Sequence, residues 1–320
     1  MKAALSIDLD NKWSYMKTHG DAGWEAHPSY MDGLVPRVLD LMNEMQLKMT
    51  FFIVGRDAAL PWGREVFARI PEEGHEVGNH SYLHEPWICE HDERSVDEEL
   101  ARAEAAIAAA TSVTPVGFRA PGFALSNTIL HVLAARGYAY DASSLPTWIG
   151  PLARAYYLRT SKLSEEEVKR RDGLFGRWSD GILPNRPHTV AAGGRSLTEI
   201  PVTTFPFFRT PIHLSYVLYL SVVSPRAGLA YFSAALAACK AARVVPSILL
   251  HPLDFLTARD APELAFFPAM SLDERVKKHV VRAALAQLAS MFDVRPLRDV
   301  ATDVSLKGLS SSPRVVGSRT

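Results

Sequence analysis

Only two cysteines occur in the 320 residues, Cys89 and Cys239, and they form no CxxC pair. A disulfide framework and a thiolate zinc knuckle are therefore both excluded. Excess charge is missing as well, because 35 Lys and Arg offset 35 Asp and Glu. Without a basic surplus to neutralise phosphates, nucleic acid is not an expected partner. No stretch reaches the roughly 18 consecutive apolar residues of a membrane-spanning helix. The apolar opening Met1–Ile7 is broken by Asp8 and Asp10 before a secretory h-region forms, so the expected compartment is the cytoplasm. There is no Walker loop, no GxGxxG and no GxSxG, which removes nucleotide-binding and serine-hydrolase chemistry. What remains is an ordinary globular composition, 48% hydrophobic and 22% charged, in a chain long enough to bury one large core.

Strand-like and helix-like segments alternate through most of the chain. Strands are expected at 2–7, 49–54, 75–79, 116–118, 138–141, 244–250 and 292–296. Between them helices are expected at 34–45 with Pro36 in the first turn, at 65–70, at 95–110 behind a Ser95/Glu98 capping box, at 126–136 and at 272–291. That alternation implies an α/β fold with a parallel sheet or barrel. From 143 to 200 the pattern breaks, with prolines at 146, 151, 184 and 187 and a capped helix candidate at Ser164–Arg171. A long irregular excursion in a compact domain reads as a lid or binding loop. One domain over 1–304 and a disordered Ser-rich tail from 305 to 320 are expected.

Five polar sets each close a different expected strand. Asp8 and Asp10 are two apart, so on a strand they share a face, as a base beside a metal ligand would; two solvated surface acids are the plain alternative. His80 and His84 have the i, i+4 spacing that brings two imidazoles together on a helical turn. Arg119 precedes the turn Pro121-Gly122-Phe123, where it can pair a carboxylate while the turn offers backbone N–H groups. Asp141 and His251 end two more strands; a lone His there is also compatible with a hydrogen-bonded core residue. In open α/β sheets and barrels the carboxyl ends of the strands are where sites form, and here one rim collects all five sets.

With those residues in view, the chain resembles the polysaccharide deacetylase family, the NodB homology domain or carbohydrate esterase family 4, over roughly 1–141 and 246–254. Ser6-Ile7-Asp8-Leu9-Asp10 is similar to the Asp-x-Asp branch of the family, which includes deformylases of lipid-linked aminoarabinose and other intracellular N-deacylases. His80-Ser81-Tyr82-Leu83-His84 matches the His-Ser/Thr-x-x-His motif, Arg119-Ala120-Pro121 the Arg-x-Pro motif, and Ile248-Leu249-Leu250-His251 the Leu-x-Leu-His motif. The resemblance implies a distorted (β/α) barrel of about seven strands. It implies Asp8 as base, Asp10, His80 and His84 as metal ligands, Arg119 as the partner of the base, and Asp141 as the acid that orients the catalytic groups. His251 matches the family's histidine. Where the family has Trp five residues after its Asp, this chain has Pro146, with Trp148 following as the candidate pocket wall.

The reaction so implied is removal of an N-acetyl or N-formyl group from an amino sugar. A His₂Asp donor set favours zinc, with cobalt, manganese, nickel or iron as alternatives. The oxyanion would be held by the metal and by an N–H of the Pro121–Phe123 turn, and His251, its tautomer set by Asp141, would protonate the leaving nitrogen. Two other readings are a metal-dependent amidohydrolase on a small amide such as a ureide, with a small closed pocket, and a non-catalytic carbohydrate-binding relic. The runs 210–225 and 227–239 carry no charge. They read either as two buried helices or, from Phe205 through Tyr219, as an apolar rim that meets a membrane's inner face or a lipid-linked sugar.

Overall fold

The computed structural model describes residues 1–170 and 176–307. Among the described residues nine strands make one sheet: β1 Lys2–Asp8, β2 Thr50–Ile53, β3 Glu76–Asn79, β4 Gly117–Phe118, β5 Tyr140–Asp141, β6 His188–Ala192, β7 Arg195–Glu199, β8 Ser247–Leu250 and β9 Asp293–Arg295. Their order is β6-β7-β5-β4-β3-β2-β1-β8, and β9 pairs with the start of β1. Every pairing is parallel except the β6–β7 hairpin. The α/β class and its curled sheet agree with the sequence reading, while the strand count exceeds the expected seven. The two strands of the β6–β7 hairpin account for the excess.

β1 lies between β2 and β8, and all of it but Lys2 is buried. A parallel strand covered on both faces needs such a nearly unbroken apolar run. Alternate residues then serve two interiors. Leu5, Ile7, Phe51 and Ile53 face the large core shared with the helices Met31–Glu44, Leu214–Val223, Pro225–Ala241 and Glu274–Met291. Ala4, Phe52, Tyr140 and Ile200 face the other way and pack with Leu297, Val300 and Ala301 of the C-terminal helix Leu297–Lys307.

Several helix details differ from the sequence reading. The helix Met31–Glu44 begins a turn early, so Pro36 sits in its second turn. The helix Glu93–Thr111 is capped by Asp92, whose side chain accepts from Ser95 N at 2.8 Å. Ser95 is already inside the first turn, and Glu98 pairs with Arg94 rather than closing a capping box. Residues 65–70 form parts of two short helices, Gly63–Phe67 and Arg69–Glu72. The stretch 143–200 is more regular than its prolines suggest. It carries the helices Gly150–Thr160 and Glu165–Arg170 and the hairpin that extends the sheet; Arg171 lies outside the described residues. At the C-terminal end, 305–307 belong to the last helix, and the rest of the expected tail lies outside the described residues.

A polar knot ties the C-terminal helix to the floor of the sheet. The Glu76 carboxylate accepts from Thr50 Oγ1 at 2.6 Å, Tyr140 OH at 2.9 Å and Arg298 N at 3.0 Å, while Leu297 N donates to Thr50 Oγ1 at 2.8 Å. Two N–H groups of the helix's first turn are satisfied in this way. Tyr140 reaches Glu76 only by laying its ring across Gly117, where a Cβ would stand 2.0 Å from the ring. Gly78 makes the same room for Phe52, at 2.5 Å. Gly117→Ala is therefore expected to overpack the interior and cost about 1–3 kcal/mol. A urea or thermal melt showing unchanged stability would contradict this account of the Tyr140 packing.

Candidate active site

The parallel register brings the strand ends to one rim. Asp8 stands opposite Phe52, Asn79 opposite Phe118, Phe118 opposite Asp141, and Asp141 opposite Glu199. The residues just beyond these ends are Asp10, His80, Arg119 and His251. Asp8, Asp10, His80, His84, Arg119 and Asp141 are all buried, and His251 is partly so.

Asp10, His80 and His84 form a cluster whose donor atoms all lie within 4.8 Å of one another. Asp10 Oδ1 is 3.1 Å from His80 Nε2 and 2.9 Å from His84 Nε2. His80 Nδ1 lies 2.7 Å from the Arg119 carbonyl oxygen, to which it must donate. The neutral form of His80 then turns a lone pair on Nε2 toward a carboxylate oxygen, an arrangement that calls for a cation between them. Burial opposes charge on Asp10, yet His84 and His80 outweigh it and hold the carboxyl well below its usual range. For His80, burial is likewise outweighed by Asp8 and Asp10, and its pKa is raised. Two imidazole nitrogens and a carboxylate converging on one point, with the second-layer bond of His80 already made, fit a divalent metal.

The histidines do not sit on a helical turn, as their spacing suggested. Ser81 and His84 have φ of 63° and 49°, so the segment is a left-handed loop. Such conformations cost about 1 kcal/mol or more for non-glycine residues and persist only when neighbours impose them. Here Glu99 Oε1 accepts from Tyr82 N at 2.9 Å and Leu83 N at 2.6 Å, and Asn79 Oδ1 accepts from Ser81 N at 2.8 Å. Around Asp10, Tyr30 OH donates to the Asp10 carbonyl. Next to it Asn11 Nδ2 and Trp13 Nε1 both donate to Asp57 Oδ1. Burial, the largest influence, pushes Asp57 up to about 6 against those donors.

Arg119 is fully buried. Nη1 donates to Asp8 Oδ1 at 2.8 Å and Ser6 Oγ at 2.9 Å, Nε donates to the Ala142 carbonyl at 2.9 Å, and Cζ lies 4.4 Å from the centroid of Phe52. Asp8 Oδ2 is left facing the cluster, 3.9 Å from His80 Nε2.

Asp141 does not orient His251, which corrects the sequence expectation. It accepts from Ser143 Oγ at 2.6 Å and Ser143 N at 3.1 Å, and burial beside Glu199 raises its pKa. Glu199, buried and opposite Asp141, is pushed well above the usual carboxylate range, first by burial and then by the Asp141 charge. The groups on His251 are instead Ser215, with Oγ 3.1 Å from Nδ1, and Asp254. Asp254 Oδ1 accepts from Ser215 Oγ at 2.8 Å, and its Oδ2 accepts from His251 N at 2.9 Å. Asp254, three residues after His251, offered a capping-type signal that sequence reasoning missed; nothing in the sequence singled out Ser215 or Glu199.

In the turn after Arg119, Gly122 and Phe123 both have positive φ, 61° and 60°. Phe123 N and Ala124 N donate to Ala120 and Pro121 carbonyls, and Pro121 has no N–H, so Gly122 N–H is the donor the turn has to offer. Trp148 is no wall of a buried pocket: it is half-exposed, its indole N–H donates to the Phe208 carbonyl at 2.7 Å, and its ring lies within 9° of parallel to Trp178. An open cleft of about 760 Å³ flanks the His84 side, lined by Lys17, Trp24, Glu85, Trp87 and His91. The Phe205–Tyr219 surface is only partly apolar rim. Phe205, Ile212, Leu214, Val217 and Leu218 are core, while Phe207, Phe208 and, at the end of the same helix, Val222 and Val223 are exposed. Among the described residues no helix is long and apolar enough to cross a membrane.

The family model for polysaccharide deacetylase matches residues 21–140. Over that stretch the chain is similar to the polysaccharide deacetylase family. The stretch contains His80, His84 and Arg119, whereas Asp8, Asp10 and His251 lie outside it. Among curated relatives, a peptidoglycan deacetylase of Helicobacter pylori is 29% identical over 49% of this chain and 52% of its own length. A chitooligosaccharide deacetylase of Bradyrhizobium is 32% identical over 32% of this chain and 47% of its own. The chain thus spans about half the length of such relatives or less. Among solved structures, one described as a polysaccharide deacetylase from Mycobacterium smegmatis superposes with a TM-score of 0.66 at 21% identity, covering 100% of this chain and 94% of that one. An allantoinase superposes at 0.60 and 14% identity, covering 97% and 92%. These two show a shared fold.

Two outcomes follow from this geometry. His84→Ala should abolish stoichiometric binding of a divalent ion, read by elemental analysis after dialysis; retention of about one zinc per chain would remove the cluster as a metal site. Glu199 binds a proton in the folded state that the unfolded chain has released above about 4.5. Stability is therefore full below that pH and falls as pH rises toward the raised pKa. Glu199→Gln keeps the shape without this loss, so its advantage over wild type in chemical denaturation should grow with pH. A constant difference from pH 4.5 upward would contradict the raised pKa of Glu199.

Proposed function

We propose that the chain is a metal-dependent hydrolase that removes an N-acyl group, acetyl or formyl, from an amino sugar. The observation that carries this reading is Asp8: Arg119 engages one of its oxygens, and the other faces the Asp10–His80–His84 cluster. A divalent ion held by that cluster supplies Lewis-acid polarisation of the acyl oxygen and lowers the pKa of water. Asp8 Oδ2 receives the proton of the attacking water, while Arg119 fixes the carboxylate at the angle this transfer requires. The Gly122 N–H stands ready for the oxygen on which negative charge develops. His251 delivers a proton to the departing nitrogen from Nε2, because Nδ1 is tied to Ser215 and, through it, to Asp254. Asp141 supports the rim through Ser143 rather than acting on His251.

The polysaccharide deacetylase match over residues 21–140 supports a sugar over a small ureide. Relatives named as deacetylases of peptidoglycan and chitooligosaccharide favour the same substrate class. The lipid-linked form of the substrate rests on the exposed Phe207, Phe208, Val222 and Val223, which an acyl or polyprenyl tail could cover.

The test is release of acetate or formate from N-acylated glucosamine oligomers and from a lipid-linked N-acyl amino sugar by zinc-loaded protein. Release that stops with a chelator and returns with metal is expected. Hydrolysis of allantoin with no release from any sugar would replace this function with the small-amide one. His251→Ala and Ser215→Ala should lower kcat, by about 10²-fold or more for the former and about tenfold for the latter, with metal content unchanged. Loss of metal in His251→Ala would make His251 a ligand and overturn the division of roles.

A further inference from the structure

Beside the rim, the loop that leads into the His251 site holds an arginine with no evident internal purpose. Arg209 has φ of 55°, a conformation side-chain-bearing residues avoid unless they are held there. The loop is pinned on both sides: Arg209 N donates to the Phe205 carbonyl at 2.8 Å, and Thr147 Oγ1 donates to the Arg209 carbonyl at 2.7 Å. Its guanidinium Nη1 is nevertheless buried without a hydrogen-bond partner among the described residues. Burial lowers its pKa, and the one charge that bears on it is of like sign, that of Arg186. Arg186 is itself brought here by a two-way clasp. Asn185 Nδ2 donates to the Thr204 carbonyl at 2.7 Å, and Thr204 N returns a bond to Asn185 Oδ1 at 2.9 Å.

An arginine with a buried unpaired N–H, within electrostatic reach of a second arginine, costs free energy unless an anion joins it. Aromatic faces adjoin them. The indole of Trp148 is clamped by its bond to the Phe208 carbonyl, Trp178 lies parallel to it at 6.3 Å, and Trp178, Phe207 and Phe208 are 57%, 70% and 64% exposed. Both supporting segments run directly into the reactive rim. Thr147 follows the Asp141–Ser144 strand end, and His213, four residues after Arg209, has its ring 5.8 Å from that of His251. Arg209 thus sits on the segment that leads to His213, whose ring neighbours that of His251, the proposed proton donor to the leaving nitrogen.

We propose that Arg209 and Arg186, together with the Trp148–Trp178 face, form a subsite for an anionic oxygen group carried by the amino-sugar substrate. The inference rests on the amino-sugar reading and narrows it from N-acylated sugars in general to those bearing a carboxylate or a phosphate. A guanidinium fork matches two oxygens of either group, and the indole face takes the C–H side of a pyranose ring as it takes other flat apolar surfaces. The carboxylate would come from an acidic sugar of a glycan, the phosphate from the bond that joins a sugar to a carrier.

The test compares binding of N-acetylglucosamine, N-acetylglucosamine 1-phosphate and N-acetylmuramic acid to the full zinc-loaded chain, by tryptophan fluorescence and calorimetry. Neither readout depends on turnover. At least one anionic probe should bind about tenfold or more tightly than the neutral sugar, an advantage that shrinks as salt is raised. Tighter binding of the phosphate alone assigns a carrier-linked sugar, and of the muramic acid alone an acidic glycan. Arg209→Gln should bring the advantage close to one, and Arg209→Lys should restore part of it. Arg186→Gln, at an exposed position, should reduce the advantage without affecting folding. Equal affinity for all three probes in the wild type, or an advantage that survives both Gln variants, would overturn the subsite. An advantage without acyl release from any probe would leave the subsite standing and defeat the catalytic reading.

Discussion

Arg119 has no surface in contact with solvent, and its guanidinium is divided among Asp8, Ser6 and the carbonyl of Ala142. Its own carbonyl holds His80 in the tautomer that presents Nε2 to Asp10. One residue thus fixes the orientation of the proposed base, the direction of a metal-binding imidazole and the spacing of the strand ends that carry them. Removing one partner from a buried ion pair strands the other, at about 3–5 kcal/mol. The site and the middle of the sheet are therefore stabilised by the same bonds. Gly78 and Phe52 belong to this arrangement, because the guanidinium rests on the Phe52 ring and the ring needs the space that Gly78 leaves.

The sheet order explains how a site can be assembled from residues so far apart in the chain. The family match ends at residue 140, yet Asp8 and His251 stand on neighbouring strands because β1 pairs with β2 on one side and β8 on the other. The first strand is the one to which β2, β8 and β9 all pair. Residues supplied before and after the matched region complete what that region begins, with His80, His84 and Arg119 on one flank and His251 with Ser215 and Asp254 on the other.

Much of this was legible in the sequence, for a physical reason. Parallel strands must be apolar throughout, so a charged or imidazole side chain at a strand end stands out, as Asp8, His80, Arg119, Asp141 and His251 do. What was hidden depends on contacts between distant segments. Glu99 imposes the left-handed loop that carries His84 from a helix that reads as ordinary amphipathic surface. Ser215 lies in an uncharged run whose composition signals only burial. Asp141 was given the wrong partner because spacing along the chain cannot show that β7 brings Glu199 alongside it. Helix starts shifted by a residue or a turn where a competing cap, such as Asp92, lay just outside the apparent motif.

The knot at Glu76 also sets an order of events during synthesis. Thr50, Glu76 and Tyr140 leave the ribosome long before Leu297 and Arg298, whose backbone N–H groups complete their bonding. Until then the Glu76 carboxylate lies at the open floor of a sheet whose β8 and β9 are also still to come. The nascent chain can form β1 to β5 but cannot close the concave face, and the unfilled interior beside Ala4, Phe52 and Tyr140 is the surface a chaperone would meet. Arrival of the last helix acts as a latch. The helix Leu297–Lys307 thus fastens one end of a sheet whose other end carries the reactive rim.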